Sequence, residues 1–252
     1  MGKYAVITGA SSGLGVEFAY CLSQKGYKLI LVASREERLR KLADHLKAEC
    51  EIIAADLTDE AECYRVWDTI KNRDIEIFVN NAGFGDCGCF AETDLDKELD
   101  MVQLNVKAVH IFSKLALRKM QEKNEGYILN VASCTGLMPG GPYMATYYAT
   151  KAYVTSLTRG IAEEIKESGS DVYIGCLCPG PVATDFNKVA NVKFTLPEIT
   201  PEYCVKYALK QMWKRKVVII PTIQMKIAMT LGRYISQSLY VKIAGNQQAK
   251  DM

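Results

Sequence analysis

Short apolar runs alternate along the chain with longer segments in which apolar residues recur at helical spacing. Seven runs of four to six residues are apolar almost throughout, which predicts buried β-strands rather than strands with one solvated face. They lie at Tyr4–Thr8, Lys28–Ala33, Glu51–Ala55, Ile75–Val79, Tyr127–Val131, Val172–Leu177 and Val217–Ile220.

The segments between these runs predict helices near residues 14–25, 36–49, 59–71, 95–122, 146–168 and 201–213. Alternation of strands and helices predicts a parallel sheet with helices on both faces. Right-handed crossovers then give an α/β, doubly wound Rossmann-type fold with a seven-stranded, mainly parallel sheet. We expect residues 1–221 to form this domain and residues 182–200, which lack periodicity, to form a loop or short lid.

The chain after Pro221 has a different pattern. Apolar residues recur every four positions, which predicts a basic amphipathic helical extension over residues 222–252; they are Ile223, Ile227, Leu231, Ile235, Leu239 and Ile243. Packing of this stripe on the domain or on a sister subunit is the favoured interpretation. A lid over an apolar substrate is the second, and contact with a membrane surface is the least favoured.

The charge of the chain excludes some partners. The 252 residues carry a net charge of +2, so nucleic acid is not expected. The charge is uneven, because residues 201–252 hold nine Lys or Arg and two acids, whereas residues 1–200 have an excess of acids. No apolar run approaches the ~18 residues of a membrane span. We therefore expect a cytoplasmic protein without a signal peptide.

Cysteine and histidine are distributed in a way that argues against a metal site. The nine cysteines are an odd number without secretory context, so reduced thiols are expected. Cys87 and Cys89, like Cys176 and Cys178, are two residues apart, but the chain has only two histidines to complete a ligand set. No metal is expected.

A glycine-rich loop directly follows the first strand. It reads Thr8-Gly9-Ala10-Ser11-Ser12-Gly13-Leu14-Gly15 and leads into the first helix. Glycines allow a tight turn and close approach of a ligand, and the helix N-terminus offers unpaired N–H groups to a phosphate. This position between strand and helix predicts a dinucleotide site at Gly9, Ser11, Ser12, Gly13, Leu14 and Gly15.

The end of the second strand indicates which dinucleotide binds. An acid there binds the ribose 2′-hydroxyl of NAD, whereas an arginine accommodates the 2′-phosphate of NADP. The chain reads Ala33-Ser34-Arg35, so Ser34 occupies the position of the acid and Arg35 follows it. NADP(H) is therefore favoured over NAD(H). The alternative is that Arg35 is only a solvated residue at the start of a charged helix.

Tyr147 precedes Lys151 by four residues in a predicted helix, so the two side chains share one face. A phenol with a pKa near ~10 is a poor proton donor at neutral pH. Opposite charges ~4 Å apart interact by about 4 kcal/mol at an effective dielectric constant of ~20, enough to lower the phenol pKa by up to about three units. The pair is therefore a candidate proton shuttle for a carbonyl or alcohol.

With these motifs in order, residues 3–220 resemble the short-chain dehydrogenase/reductase family. The resemblance is carried by Thr8–Gly15, Asp56-Leu57, Asn80-Asn81-Ala82-Gly83, Asn105, Ser133, Tyr147 with Lys151, and Pro179-Gly180. It implies that Tyr147 is the general acid in reduction, that Ser133 orients the substrate oxygen, and that Lys151 binds the nicotinamide ribose. Asn105 would hold a water that connects Lys151 to solvent.

The resemblance also implies the remaining cofactor contacts. Asp56 would face the adenine, Asn80 would support the cofactor, and Thr184 would contact the carboxamide. Further contacts are expected from Leu57, Ala82, Gly83, Pro179, Gly180 and Val182. Helices 95–122 and 146–168 commonly pair with a partner in this family, so a homodimer or homotetramer is expected.

The sequence thus predicts an NADP(H)-dependent oxidoreductase, a carbonyl reductase or alcohol dehydrogenase of an apolar small molecule such as a steroid, fatty-acyl or aryl ketone. Two alternatives stay open. One is a 3-oxoacyl-carrier-protein-type reductase, with an acidic carrier docking at Lys214-Arg215-Lys216. The other is a non-catalytic Rossmann protein that senses NADP(H).

Overall fold

The sheet of the protein contains seven parallel strands in the order β3-β2-β1-β4-β5-β6-β7. The computed structural model describes residues 2–190 and 197–248. This architecture confirms the doubly wound fold, and every strand pairing is parallel. The strands are β1 (Tyr4–Thr8), β2 (Lys28–Ala33), β3 (Cys50–Ala54), β4 (Ile75–Asn80), β5 (Tyr127–Val131), β6 (Tyr173–Leu177) and β7 (Val218–Ile219).

Helices cover both faces of the sheet. The helices are α1 (Gly13–Gln24), α2 (Glu36–Asp44), α3 (Glu60–Ile70), α4 (Leu95–Val102), α5 (Val109–Gln121), α6 (Ala145–Glu167), α7 (Phe186–Val189), α8 (Pro201–Met212), α9 (Ile223–Leu231) and α10 (Gln237–Gln248). A π-helical segment, Gln103–Ala108, joins α4 to α5. Short 3₁₀ turns occupy Cys134–Leu137 and Gly232–Tyr234.

Alternation of side chains along the strands divides the core into two layers. In β1, Ala5 and Ile7 pack with α1, α2 and α8, whereas Val6 packs on the other face with α3, α5 and α6. Each strand buries both faces, because successive side chains point to opposite sides of a pleated sheet. This explains why the strands read as continuous apolar runs.

The observed elements differ from the predicted bounds mainly at their ends. Helix α2 stops at Asp44 instead of continuing to residue 49, because Leu46 and Ala48 leave the helix to pack against the core before β3 begins. In the segment 182–200, Val182 pairs with Ile199 and α7 lies between them. Residues 191–196 of that segment lie outside the described part of the chain.

The C-terminal extension forms two helices rather than one. Helices α9 and α10 are separated by the 3₁₀ turn, and they contact the domain through a face that includes the buried residues Met229 and Ala244. All six residues of the predicted packing stripe, from Ile223 to Ile243, are exposed in the single chain, although Leu231, Ile235 and Ile243 also line a cavity at the carboxyl ends of the strands. Four-residue spacing identified a helix face, and packing of that face on a sister subunit stays a prediction.

Two glycines allow close packing of the extension, one against the domain and one between its own two helices. A Cβ at Gly245 would lie 2.8 Å from Pro142 Cγ, and a Cβ at Gly232 would lie 2.4 Å from the ring of Tyr240. The first contact seats α10 on the loop before α6, and the second joins α10 to the end of α9.

Within the described residues, no helix has the length and apolar character needed to span a bilayer.

Gly15 provides a test of the packing between β1 and α1. A Cβ at Gly15 would lie 2.2 Å from Gly9 O, so Gly15→Ala should shift the backbone and lower the free energy of unfolding by about 1–3 kcal/mol. Gly160→Ala is the matched control, because Gly160 lies in α6 with open space around its Cβ position and should stabilise the protein by up to about 1 kcal/mol. Urea titration measures both; equal stability of the two variants would contradict the packing.

Candidate active site

A cavity of about 760 Å³ runs along the carboxyl ends of the strands. It is lined by the loops that follow β1 to β6, and α9 and α10 close one end of it. Ligands of doubly wound folds bind at this edge, in the crevice where the strand order reverses. Here that reversal falls between β1 and β4.

Thr8 and Asn81 tie the ends of β1 and β4 together. The Thr8 hydroxyl accepts hydrogen bonds from the N–H groups of Asn81 and Ala82, at 2.9 and 3.0 Å. The Asn81 amide donates in return to the carbonyl oxygens of Thr8 and Gly9, at 3.0 and 3.1 Å. These four bonds fix the start of the glycine-rich loop against the turn that contains Gly83.

The N-terminus of α1 fits a phosphate group. Gly13 adopts φ +55°, a conformation that favours glycine, and Ser12 makes no side-chain cap on the helix. The first turn also contains no acid. The unpaired N–H groups and the positive end of the helix dipole therefore remain available to an anion at the cavity wall.

Arg35 lies beside this loop at the end of β2. Its Nη2 donates to the hydroxyls of Ser11 and Ser12, at 3.3 and 3.4 Å. The three side chains form an exposed polar cluster at the adenosine end of a dinucleotide-binding crevice, together with Ser34. Asp56, at the end of β3, lines the same end, and its carboxylate accepts from the hydroxyl and N–H of Thr58.

Ser133, Tyr147 and Lys151 meet at the centre of the cavity, where they are 7%, 7% and 4% exposed. Ser133 Oγ accepts from the N–H of Thr135 at 3.2 Å, so its own O–H is available to the phenol or to a substrate oxygen. Lys151 Nζ donates to Val131 O at 3.0 Å, which places the ammonium behind the strand end. Nζ lies 5.8 Å from the centre of the Tyr147 ring.

Burial dominates the ionisation of this group of residues. It raises the pKa of Tyr147 well above the usual value, although a hydrogen bond from Ser133 acts in the opposite direction. Burial also lowers the pKa of Lys151 to about 8. The sequence-based expectation that the ammonium lowers the phenol pKa does not hold, because desolvation disfavours both charges. Tyr147 is therefore kept protonated, as a proton donor must be.

Asn105 lies one layer behind these residues, in the π-helical segment. Its Oδ1 accepts from Phe84 N at 3.1 Å, and its Nδ2 donates to Phe84 O and to Thr150 Oγ1, at 2.8 and 3.1 Å. Thr150 in turn donates to Tyr147 O at 2.8 Å. Both amide hydrogens are thus used within the protein, so Asn105 links the β4–α4 loop to the first turn of α6. If the side chain of Asn105 holds the predicted water, that water must donate a hydrogen bond to the remaining lone pair of Oδ1.

Gly83 explains how Asn105 and Lys151 approach the same place. A Cβ there would lie 2.7 Å from Asn105 Oδ1 and 3.3 Å from Lys151 Nζ. Any larger residue would displace one of the two side chains. The glycine of the Asn80–Gly83 motif is therefore required by packing as well as by the ligand crevice.

Most of the site residues expected from sequence lie at the cavity wall. Those that do are Gly9, Ser11, Ser12, Gly13, Leu14, Ser34, Arg35, Asp56, Leu57, Ala82, Gly83, Ser133, Tyr147, Lys151, Pro179, Gly180, Val182 and Thr184. Gly15, Asn80 and Asn105 do not. Gly15 packs on Gly9, and Asn80 donates to Ser113 and Asn130 within the buried layer, so neither reaches a ligand directly.

The sequence motifs did not identify the residues that form the apolar half of the cavity. The missed residues come from the first turn of α6, from α7 and from the extension: Tyr148, Phe186, Met225, Met229 and Tyr240. The apolar pattern of α9 was visible in the sequence, but the pattern does not say what a face contacts.

The cysteines show no sign of ligand chemistry. Burial raises the pKa of Cys134 to about 12, so this thiol at the cavity wall is a poor nucleophile. Cys87 is buried and Cys89 is exposed. In the described ranges, no three His, Cys, Asp or Glu side chains are placed to hold a metal ion.

The fold and the site together define a dinucleotide-dependent oxidoreductase. Comparison with known proteins identifies the family: a family model described as short chain dehydrogenase matches residues 3–193. The chain belongs to the short-chain dehydrogenase/reductase family.

Two similar proteins are named as reductases of 3-oxoacyl groups. The chain is 32% identical over 218 residues to the very-long-chain 3-oxoacyl-CoA reductase of Anas platyrhynchos, with 83% of this chain and 68% of that protein covered. It is 33% identical over 195 residues to the 3-oxoacyl-[acyl-carrier-protein] reductase FabG of Rickettsia prowazekii, with 76% and 78% covered. A solved short-chain dehydrogenase from Sphingobium yanoikuyae, in complex with NADPH, matches with a TM-score of 0.82 and 29% identity over 94% of each chain.

The lowered pKa of Lys151 predicts the pH dependence of carbonyl reduction. Below about pH 8 the ammonium is charged, and above it the charge is lost, whereas Tyr147 stays protonated across this range. The kcat/KM for the dinucleotide, which reports ionisation in the free protein, should therefore be level near pH 7 and fall about tenfold per unit above pH 8. A level profile up to pH 10 would contradict the assignment of Lys151.

Proposed function

We propose that the protein reduces the carbonyl group of an apolar small molecule with NADPH, or oxidises the corresponding secondary alcohol with NADP⁺. The observation that carries the proposal is the continuity of the cavity. At its centre stand Ser133, Tyr147 and Lys151, and beyond them the wall is apolar up to α9 and α10. A bound nicotinamide would supply or accept the hydride.

The side chains of the site can handle the proton and the oxygen of such a substrate. Ser133 is held by the Thr135 N–H and can donate its O–H to a carbonyl oxygen. Tyr147, kept neutral by burial, donates the proton that an alkoxide needs. The Lys151 ammonium stabilises the resulting phenolate in a site that excludes water, where charges interact strongly.

The apolar half of the cavity supports an apolar substrate. Methionines contribute from two sides, with Met138 and Met144 before α6 and Met225 and Met229 from α9. Flexible thioethers adapt to different apolar shapes. The Tyr240 hydroxyl, also at the cavity wall, donates a weak bond to Met229 Sδ at 3.7 Å, so it can also serve a polar group of the substrate.

A fatty-acyl substrate is the form of this proposal that the relatives favour, over a steroid or an aryl ketone. Two relatives are named as reductases of 3-oxoacyl groups, one on coenzyme A and one on a carrier protein. The expected docking of a carrier at Lys214-Arg215-Lys216 lacks support, however. Arg215 donates to the carbonyls of Asp171 and Val172, just before β6 begins, so this turn lies at the edge of the sheet opposite the cavity.

The preference for NADP(H) rests on Arg35 and its neighbours. The guanidinium and the hydroxyls of Ser11 and Ser12 lie together at the cavity wall, and no acid occupies the end of β2. A 2′-phosphate would accept charge-assisted bonds from this cluster. No carboxylate lies at the end of β2 to accept a hydrogen bond from a ribose 2′-hydroxyl.

Tyr147→Phe tests the reaction. The variant should bind NADPH as the wild type does, but its turnover on a panel of 3-oxoacyl, steroid and aryl ketones should fall about 100- to 10,000-fold, because the proton donor is gone. Tyr153→Phe is the matched control, since Tyr153 lies on the same helix, is exposed and bonds to His110 outside the cavity. NADPH oxidation measures turnover, and quenching of protein fluorescence measures binding.

Two results of this experiment would contradict the proposal. Near-normal turnover of Tyr147→Phe would remove the proton-donor role. Tight NADPH binding by the wild type without turnover of any ketone in the panel would instead favour the non-catalytic sensor of NADP(H).

Arg35→Asp tests the cofactor preference. Loss of the guanidinium should lower the ratio of kcat/KM for NADPH to that for NADH by about 10- to 100-fold, the value of a charge-assisted hydrogen bond. Arg38→Asp makes the same charge change one turn further along α2, where the side chain is exposed and away from the cavity. An equal change of the ratio in both variants would show a general charge effect and would refute the specific role of Arg35.

A further inference from the structure

Helices α9 and α10 leave a broad apolar surface uncovered. Its members, here called the C-terminal apolar face, are Ile223, Ile227, Leu231, Tyr234, Ile235, Leu239 and Ile243. All are exposed, with values as high as 72% for Ile223 and 84% for Tyr234. A contiguous group of large exposed apolar side chains is unusual on a soluble protein and marks a surface that contacts something else.

Only positive charges accompany this face. The segment 222–248 contains Lys226, Arg233 and Lys242 and no Asp or Glu. Arg233 and Lys242 are exposed and have no carboxylate partner within the described residues, while Lys226 Nζ donates to Tyr207 Oη at 2.6 Å. Apolar side chains with unpaired cations beside them match an anionic lipid surface.

The apolar face is continuous with the mouth of the cavity. Leu231, Ile235 and Ile243 are exposed to solvent and also line the cavity wall. An apolar molecule that leaves a lipid layer at this place would meet the apolar half of the cavity without crossing water.

The domain contacts the other side of the two helices. Close contacts join Gly245 to Pro142 and Gly180 to Met225, and Met229 and Ala244 are buried. Turning the apolar side inward would break these contacts.

We propose that the C-terminal apolar face docks on the surface of an anionic lipid bilayer, with the mouth of the cavity directed toward the lipid. A second copy of the chain suits the face less well, because a two-fold contact would pair the segment 222–248 with itself, and this segment offers Arg233 and Lys242 no acidic partner. The docking itself does not depend on the proposed function; only the delivery of substrate from the lipid rests on it.

Vesicle sedimentation tests the docking. The full chain should sediment with phosphatidylcholine vesicles that contain phosphatidylglycerol, less with phosphatidylcholine alone, and less again at high salt. Lys242→Glu should weaken binding to the anionic vesicles at least about fivefold. Lys47→Glu is the control, because Lys47 is equally exposed but precedes β3 at the opposite edge of the sheet.

A second pair of variants tests the apolar contribution. Ile227→Gln with Leu239→Gln should lower vesicle binding, since both side chains are exposed and neither lines the cavity. Leu95→Gln with Leu99→Gln removes two exposed leucines from α4 and should leave binding unchanged. Turnover of a water-soluble ketone should stay near normal in the Ile227/Leu239 variant, which separates lost docking from lost activity.

Three outcomes would overturn the proposal. The first is no sedimentation of the wild type with anionic vesicles. The second is equal weakening by the α4 variant or by Lys47→Glu, which would show non-specific adsorption. The third is a fall in the size of the assembly in the Ile227/Leu239 variant with vesicle binding unchanged, which would assign the face to a second copy of the chain.

Discussion

The four hydrogen bonds between Thr8 and the Asn81 turn are the constraint on which the site depends. Strands β1 and β4 are neighbours in the sheet but are far apart in the chain, and their ends must coincide for a crevice to form. Once they coincide, Gly83 lies against Asn105 and Lys151, and the glycine-rich loop faces the same space. The Thr8 hydroxyl and the Asn81 side-chain amide thus align the phosphate end and the proton-transfer end of one cavity.

At the proton-transfer end of the cavity, burial determines the protonation of Tyr147 and Lys151 more strongly than their mutual electrostatic interaction does. Tyr147 and Lys151 are both nearly inaccessible, so each favours its neutral form: the pKa of the phenol rises and that of the ammonium falls to about 8. The two opposite shifts leave the phenol protonated and the ammonium mostly charged near neutral pH. This combination suits donation of a proton to a substrate oxygen, with a cation ready beside the anion that remains.

The sequence predicted the strands, their parallel arrangement and most of the cavity wall at the cofactor end, because short apolar runs and local motifs encode them. Asn80 and Gly15 were expected at the cofactor site, and the structure places both in packing positions behind the cavity wall, which a motif cannot distinguish from ligand contact. The apolar half could not be derived, since it forms where α9 meets distant loops. The stripe from Ile223 to Ile243 shows the same limit: periodicity reveals that a helix has an apolar side, but not which neighbour receives it.

The seat of α10 on the loop before α6 has a consequence for how the chain can change over evolutionary time. Gly245 and Pro142 bring the end of the chain against the segment that leads into Tyr147, while the glycine-rich loop lies near the beginning of the chain. The glycine-rich loop and the helices that close the cavity are thus far apart in the sequence. Substitutions in α9 and α10 can therefore reshape the apolar part of the cavity without changing Ser133, Tyr147 or Lys151.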